Sequence, residues 1–134
     1  MDRAAATPAL FLRGDRWAIA RLLDLPLRVP RRFTAGGVEL VAVRVGDEVH
    51  VLHGRCPHRF APMSDAIVEE DRLVCPHHGW DFRLDTGISE GVPDASIARF
   101  HAEVREGLVF VGAAELRAFR ERYVQAFSDD DDVV

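Results

Sequence analysis

The chain has no lysine: all 17 of its basic residues are arginine, set against 22 acids for a net charge of −5. The arginines are uneven, with seven of them (Arg3, Arg13, Arg16, Arg21, Arg28, Arg31 and Arg32) in the first 35 residues, and they are not interleaved with aromatics. Base-stacking surfaces pair cationic grooves with aromatic platforms, so this pattern argues against nucleic-acid binding. Long apolar runs are also missing. No stretch approaches the roughly 20 residues needed to span a bilayer, and Arg13 and Asp15 cut short the only apolar run near the N-terminus, which excludes a signal-peptide pattern there. The expectation is a protein of the cytoplasm with no membrane attachment. Phosphate-cradling glycine loops, nucleophile elbows and dinucleotide fingerprints are absent as well, so no catalytic residues are assigned.

Cysteine is scarce too. With only Cys56 and Cys75 in 134 residues, metal or redox chemistry is a commoner use of the pair than a structural disulfide.

What is present is β-patterned. A length of 134 residues and 48% hydrophobic content suit one compact domain. The runs Val38–Val45 and Glu48–Leu52, joined by Gly46-Asp47, read as a hairpin. Residues 72–75 form a short apolar run, "WDFRLDTG" a strand entering a turn, and "ARFHAEVREGLVFVG" a second hairpin. Residues 1–31 read as an irregular lead-in with one short strand near Ala9–Leu12. From Ala114 the period becomes helical, with Leu116, Phe119, Tyr123 and Phe127 on one stripe suited to docking on the β domain. The acidic run Asp129–Asp132 reads as a solvated tail. The expected organisation is a lead-in (1–31), a β domain (32–112), a helix (113–128) and an acidic tail (129–134).

The two cysteines share a context, Cys56-Pro57-His58 and Cys75-Pro76-His77-His78, with sixteen residues between His58 and Cys75. Each half ends a strand-like run and offers a thiolate and an imidazole from one short loop, stiffened by proline. Three readings compete: unrelated cysteines and histidines, a Cys2His2 zinc site, and a [2Fe–2S] cluster with two histidines in place of two cysteines on one iron. Zinc sites usually pair like ligands at short spacing, whereas each loop here pairs unlike ones.

The segment "CPHRFAPMSDAIVEEDRLVCPHHGWDFRLDTG" resembles the cluster-binding segment of the Rieske iron–sulfur family, and the resemblance runs from about Trp17 to Val111. It is nearest to the Rieske domains of ring-hydroxylating and demethylating oxygenases and their small ferredoxins. That resemblance implies an all-β fold, a small antiparallel sandwich or barrel carrying a two-loop cluster-binding subdomain, here followed by a C-terminal helix. It also implies one [2Fe–2S] cluster per chain, with Cys56 and Cys75 binding one iron and His58 and His78 the other. His77 then occupies a variable position beside the centre. The function implied is one-electron transfer, with a flavin-dependent reductase and a terminal oxygenase as partners. The alternative is a Rieske subunit of an oxygenase whose catalytic iron lies on another chain.

High-potential relatives carry an extra cysteine in each loop and a serine hydroxyl near a bridging sulfur. The corresponding positions here are Ala61, His77 and Trp80, so a low potential, near about −150 mV, is expected. Gly79 is expected where backbone approaches the cluster, and "SEGVPDAS" resembles the loop that covers it from a third side. The set Asp47, His50 and His53 mimics a mononuclear-iron triad only loosely and reads as surface residues, and His101 as structural.

Overall fold

The computed structural model describes residues 6–57, 61–76 and 79–133, the last ten of these by backbone alone. Among the described residues, twelve strands and one α-helix follow in order: β1 (Thr7–Pro8), β2 (Phe11–Arg13), β3 (Arg16–Arg21), β4 (Arg31–Ala35), β5 (Val38–Val45), β6 (Glu48–His53), β7 (Ile67–Glu69), β8 (Arg72–Val74), β9 (Asp81–Arg83), β10 (Arg99–Phe100), β11 (Ala102–Arg105), β12 (Leu108–Gly112) and α1 (Ala113–Val133). They build a five-stranded sheet in the order β1-β4-β5-β6-β10, a four-stranded sheet β11-β12-β3-β2 and a small sheet β7-β8-β9. All pairings are antiparallel except that of β1 with β4.

The hairpin read at Gly46-Asp47 forms as expected, with Val45 opposite Glu48 across a two-residue turn. Strand β5 is covered on both sides, which accounts for its nearly unbroken apolar sequence. Leu40 and Ala42 join the main core with Ile19, Phe33, Val51, Phe100 and Val109. Val41 and Val43 join a second core with Leu52, Leu73, Phe82, Cys56 and Cys75. The five-stranded sheet is therefore a wall between two apolar compartments, and the cysteines belong to the second.

The lead-in is more ordered than its sequence suggests. Arg16–Arg21 is an inner strand, paired with β2 on one side and β12 on the other, and Ala18 and Ile19 are fully buried. Alanine has low strand propensity, so pairing on both edges supplies what local preference lacks. The second hairpin divides at His101: Arg99 and Phe100 pair with β6, and Ala102–Arg105 pair with β12. One segment thus crosses from sheet to sheet.

Helix α1 starts without a linker, Ala113 N–H donating to the Asp15 carbonyl at 2.7 Å. Leu116 is fully buried in the main core, and Phe119 packs edge-on against Phe100 with ring centroids 5.3 Å apart. The stripe docks on the β domain as expected at these residues, while the Phe127 side chain lies outside the described atoms. The backbone of Asp129–Asp132, expected as a tail, continues the helix instead. No glycine or proline follows Ala113 to stop it.

Candidate metal centre

Two short loops leave the ends of β6 and β8, and each begins with a cysteine. Cys56 N–H donates to the Ala61 carbonyl at 2.8 Å, and Cys75 N–H donates to the Trp80 carbonyl at 2.7 Å, so each loop closes on the residue five positions on. Both cysteines are buried and neither is in a disulfide. The prolines that follow, Pro57 and Pro76, are exposed. Each chain therefore leaves the apolar compartment immediately after its thiol. His58, His77 and His78 fall outside the described residues. Among the described residues, no group of three or more His, Cys, Asp or Glu gathers as a metal site. Two buried thiols sharing one compartment fit the thiolate half of a cluster.

Gly79 has φ +72° and donates its N–H to the Cys75 carbonyl at 2.9 Å. A Cβ there would meet no atom of the described residues within 4 Å, whereas the left-handed backbone itself calls for glycine.

Loop 56–61 is fastened to the large sheet. Glu39 on β5 accepts from Arg55 at 2.8 and 3.2 Å and from Arg32 at 2.9 Å, and its backbone carbonyl accepts from Gly54 N–H at 2.8 Å. Burial alone would push the Glu39 carboxyl up, but the hydrogen bonds from Arg55 and Arg32 reverse this and hold it below the usual range. Arg32 is itself buried, and among the described residues its Nε and Nη1 have no hydrogen-bond partner, so Glu39 is the carboxylate that meets its charge there.

Loop 75–80 is fastened differently. Asp81, the next residue, is 7% exposed and accepts from the Ser89 hydroxyl at 3.0 Å, Gly91 N–H at 3.1 Å and Glu90 N–H at 3.3 Å. The stretch resembling a third covering loop is thus hung on the strand that leaves the second cysteine loop. Its Ala95 and the following Ile97 pack in the same compartment as the two cysteines.

Of the loose triad, Asp47 is exposed at a turn, His50 is half-buried beside Arg99, and the three do not gather. The surface reading fails at His53, which is 8% exposed and lies 4.8 Å from the Phe119 ring and 5.0 Å from the Tyr123 ring. Helix α1 covers it, a contact that no local pattern in β6 announces. Burial lowers its pKa to about 4, and the Glu39 carboxylate only partly offsets that. His101 is exposed between β10 and β11, and its backbone N–H donates to Glu115 at 3.1 Å. Sequence reasoning also passed over Glu39, Arg55 and Asp81. A carboxylate opening the strand after Gly79-Trp80 was the available signal for Asp81.

An antiparallel β domain with two cysteine loops on one side of its main sheet defines a class of iron–sulfur electron-transfer domains. Residues 16–102 match the family model of the Rieske [2Fe–2S] domain, more than half of the chain, and the protein belongs to that family. Family membership implies a [2Fe–2S] cluster and Rieske-type electron transfer.

The methylxanthine N1-demethylase NdmA of Pseudomonas putida is 37% identical over 83 residues, covering 54% of this chain and 23% of the demethylase. The ferredoxin CarAc of Metapseudomonas resinovorans is 32% identical over 87 residues, covering 64% of this chain and 81% of the ferredoxin. A solved complex of reduced oxygenase and oxidized ferredoxin in carbazole 1,9a-dioxygenase contains a chain similar at TM-score 0.68 and 28% identity, with 75% of this chain and 95% of that one covered. The chain thus spans under a quarter of the demethylase and about four-fifths of the ferredoxin. No helix among the described residues is long and apolar enough to cross a membrane.

Proposed function

We propose that this protein is a one-electron carrier of the ferredoxin type, in which Cys56 and Cys75 hold one iron of a [2Fe–2S] cluster and His58 and His78 the other. The observation that carries the reading is the placement of Cys56 and Cys75 in one buried compartment of a Rieske-family domain, with ferredoxins among the proteins it resembles. When bound, the cluster supplies a one-electron couple whose potential is raised by imidazole in place of thiolate. The chain's own residues do the rest. The second core encloses the thiols, and Pro57 and Pro76, next to them, are exposed to a partner.

The donor is a flavin-dependent reductase and the acceptor a terminal oxygenase, both in the cytoplasm. The loop of residues 88–96, tied to the strand that leaves the second cysteine loop, carries exposed Glu90 and Asp94. Docking there is expected to weaken with salt; a salt-independent transfer rate would remove that part of the proposal. Helix α1, outside the family-matched residues, favours one second reading, in which the chain is a stable subunit of an oxygenase and the helix is the joint. Co-purification of a tight complex would select it.

The test is an EPR spectrum of the dithionite-reduced protein with iron, sulfide and zinc assayed on the same sample. A rhombic EPR signal of a reduced [2Fe–2S] centre and about two irons per chain are expected. A silent sample with about one zinc per chain would overturn the reading. A measured midpoint above zero would contradict the low potential, near about −150 mV, that the residues at 61, 77 and 80 imply.

A further inference from the structure

We propose that Asp81 is a positioning residue that pins the loop of residues 88–96 beside the two cysteine loops and so limits the water reaching the metal centre. The proposal rests on the electron-carrier reading for its redox consequence, whereas the tether is a property of the polypeptide alone.

Strand pairing at Asp81, opposite Val74, uses the backbone and needs no carboxylate. Yet a carboxylate is buried there, a costly placement unless it is used. Its use is visible in the donors it collects. Oδ1 takes the Ser89 hydroxyl and Gly91 N–H, Oδ2 takes Glu90 N–H, and Ser89 Oγ in turn accepts from Val92 N–H at 2.9 Å. Three successive amides, 90 to 92, are thus satisfied by two side chains. An ionised carboxylate is the acceptor that can take several donors at once. Burial on its own would raise the Asp81 pKa, and these bonds more than reverse it.

The fit is close: a Cβ on Gly91 would lie 3.0 Å from Asp81 Oδ1. Arg72 stands 3.5 Å from Oδ2 as partial counter-charge. The far end of the loop is tied back by Ser89 N–H to the Ala95 carbonyl at 3.0 Å and by the Ile88–Ser96 bridge. Ser96 and Pro57 line one cleft of about 230 Å³, so the loop reaches the edge of the first cysteine loop as well. Asp81 joins the second cysteine loop to the third, and the third abuts the first.

Solvent access to a metal centre tunes its potential, and water favours the more negatively charged reduced form. The experiment compares Asp81→Asn and Ser89→Ala with the wild-type holoprotein by amide hydrogen exchange and by redox titration. Ser89→Ala keeps the carboxylate and cuts the tether from the loop's side, which separates positioning from charge.

We expect both variants to keep two irons while the amides of residues 90–92 exchange at least tenfold faster. The reduced-to-oxidised ratio should rise about tenfold, or about 59 mV for a one-electron couple. Wild-type amides at 90–92 exchanging at unstructured rates would overturn the tether, with or without a cluster. A shift in Asp81→Asn but none in Ser89→Ala would overturn it too, leaving a carboxylate that acts by charge alone. A wild-type protein with no Rieske EPR signal sinks the carrier reading instead, and the exchange data then decide the tether separately.

Discussion

Loop 56–61 and loop 75–80 share one closure, a cysteine N–H bonded to the carbonyl five residues on, but among the described residues the braces behind them differ. The first is held to the large sheet by Glu39, Arg55 and the Gly54 backbone, and its root at His53 lies under helix α1. The second belongs to the small sheet and is held to the third loop through Asp81. Closure depends on five or six consecutive residues and can recur wherever a similar sequence recurs. Bracing joins residues that are distant in the chain, so each copy of the loop acquired its own.

The sharpest break of the comparison is to remove what the loops have in common. Cys56→Ala and Cys75→Ala are each expected to abolish cluster loading, read as loss of iron and of the visible absorption; a variant retaining two irons would refute the ligand set.

The next effect is confined to the root of the first loop. His53 titrates near 6.5 in an unfolded chain and at about 4 when folded, so between those values the unfolded state binds more protons. Stability is therefore full above about pH 6.5, falls as pH drops through this window and levels off below about 4, for a total of about 3 kcal/mol. Denaturant melts across that range check it, and His53→Leu should flatten the slope.

Glu39→Ala removes the partner of buried Arg32 and both bonds to Arg55. Breaking a buried ion pair costs several kcal/mol, but Glu39 is 34% exposed in its side chain, so about 2 kcal/mol is expected. Faster amide exchange should appear at Cys56 and not at Cys75. The smallest change belongs to the second loop. Gly79→Ala meets no described atom with its new methyl and strains the left-handed backbone by about 1 kcal/mol, with exchange quickened at Cys75 alone. Equal loosening of both loops by either variant would erase the distinction between them.

The same distinction explains what could be read from the sequence. The hairpin at Gly46-Asp47 and the docking stripe at Leu116 and Phe119 are local periodicities, and they appear in the fold as read. Strand Arg16–Arg21 is rich in alanine, so its signal is weak, and it exists because β2 and β12 flank it. His53 looked like a surface residue because nothing in "EVHVLHGRC" reveals that a helix some 65 residues later covers it. The chemical centre was legible at Cys56 and Cys75, whose shared compartment the fold supplies. Its supports, Glu39 and Asp81, were not, because a carboxylate in a strand looks like surface until its donors are known.

Strand β5 has a consequence of its own. Its odd and even positions belong to different neighbourhoods, Val41 and Val43 to the thiol side, Leu40 and Ala42 to the main core. Parity thus acts as an address: a volume change at 41 or 43 reaches the metal side, and one at 40 or 42 reaches the opposite side. A single-residue insertion before Leu40 would exchange both sets at once, because a strand's side chains alternate with period two. A strand buried on one face could hide such a slip by exposing its apolar set to solvent. β5 has no solvent face to receive it, so length is the property of this strand that sequence change can least afford to alter.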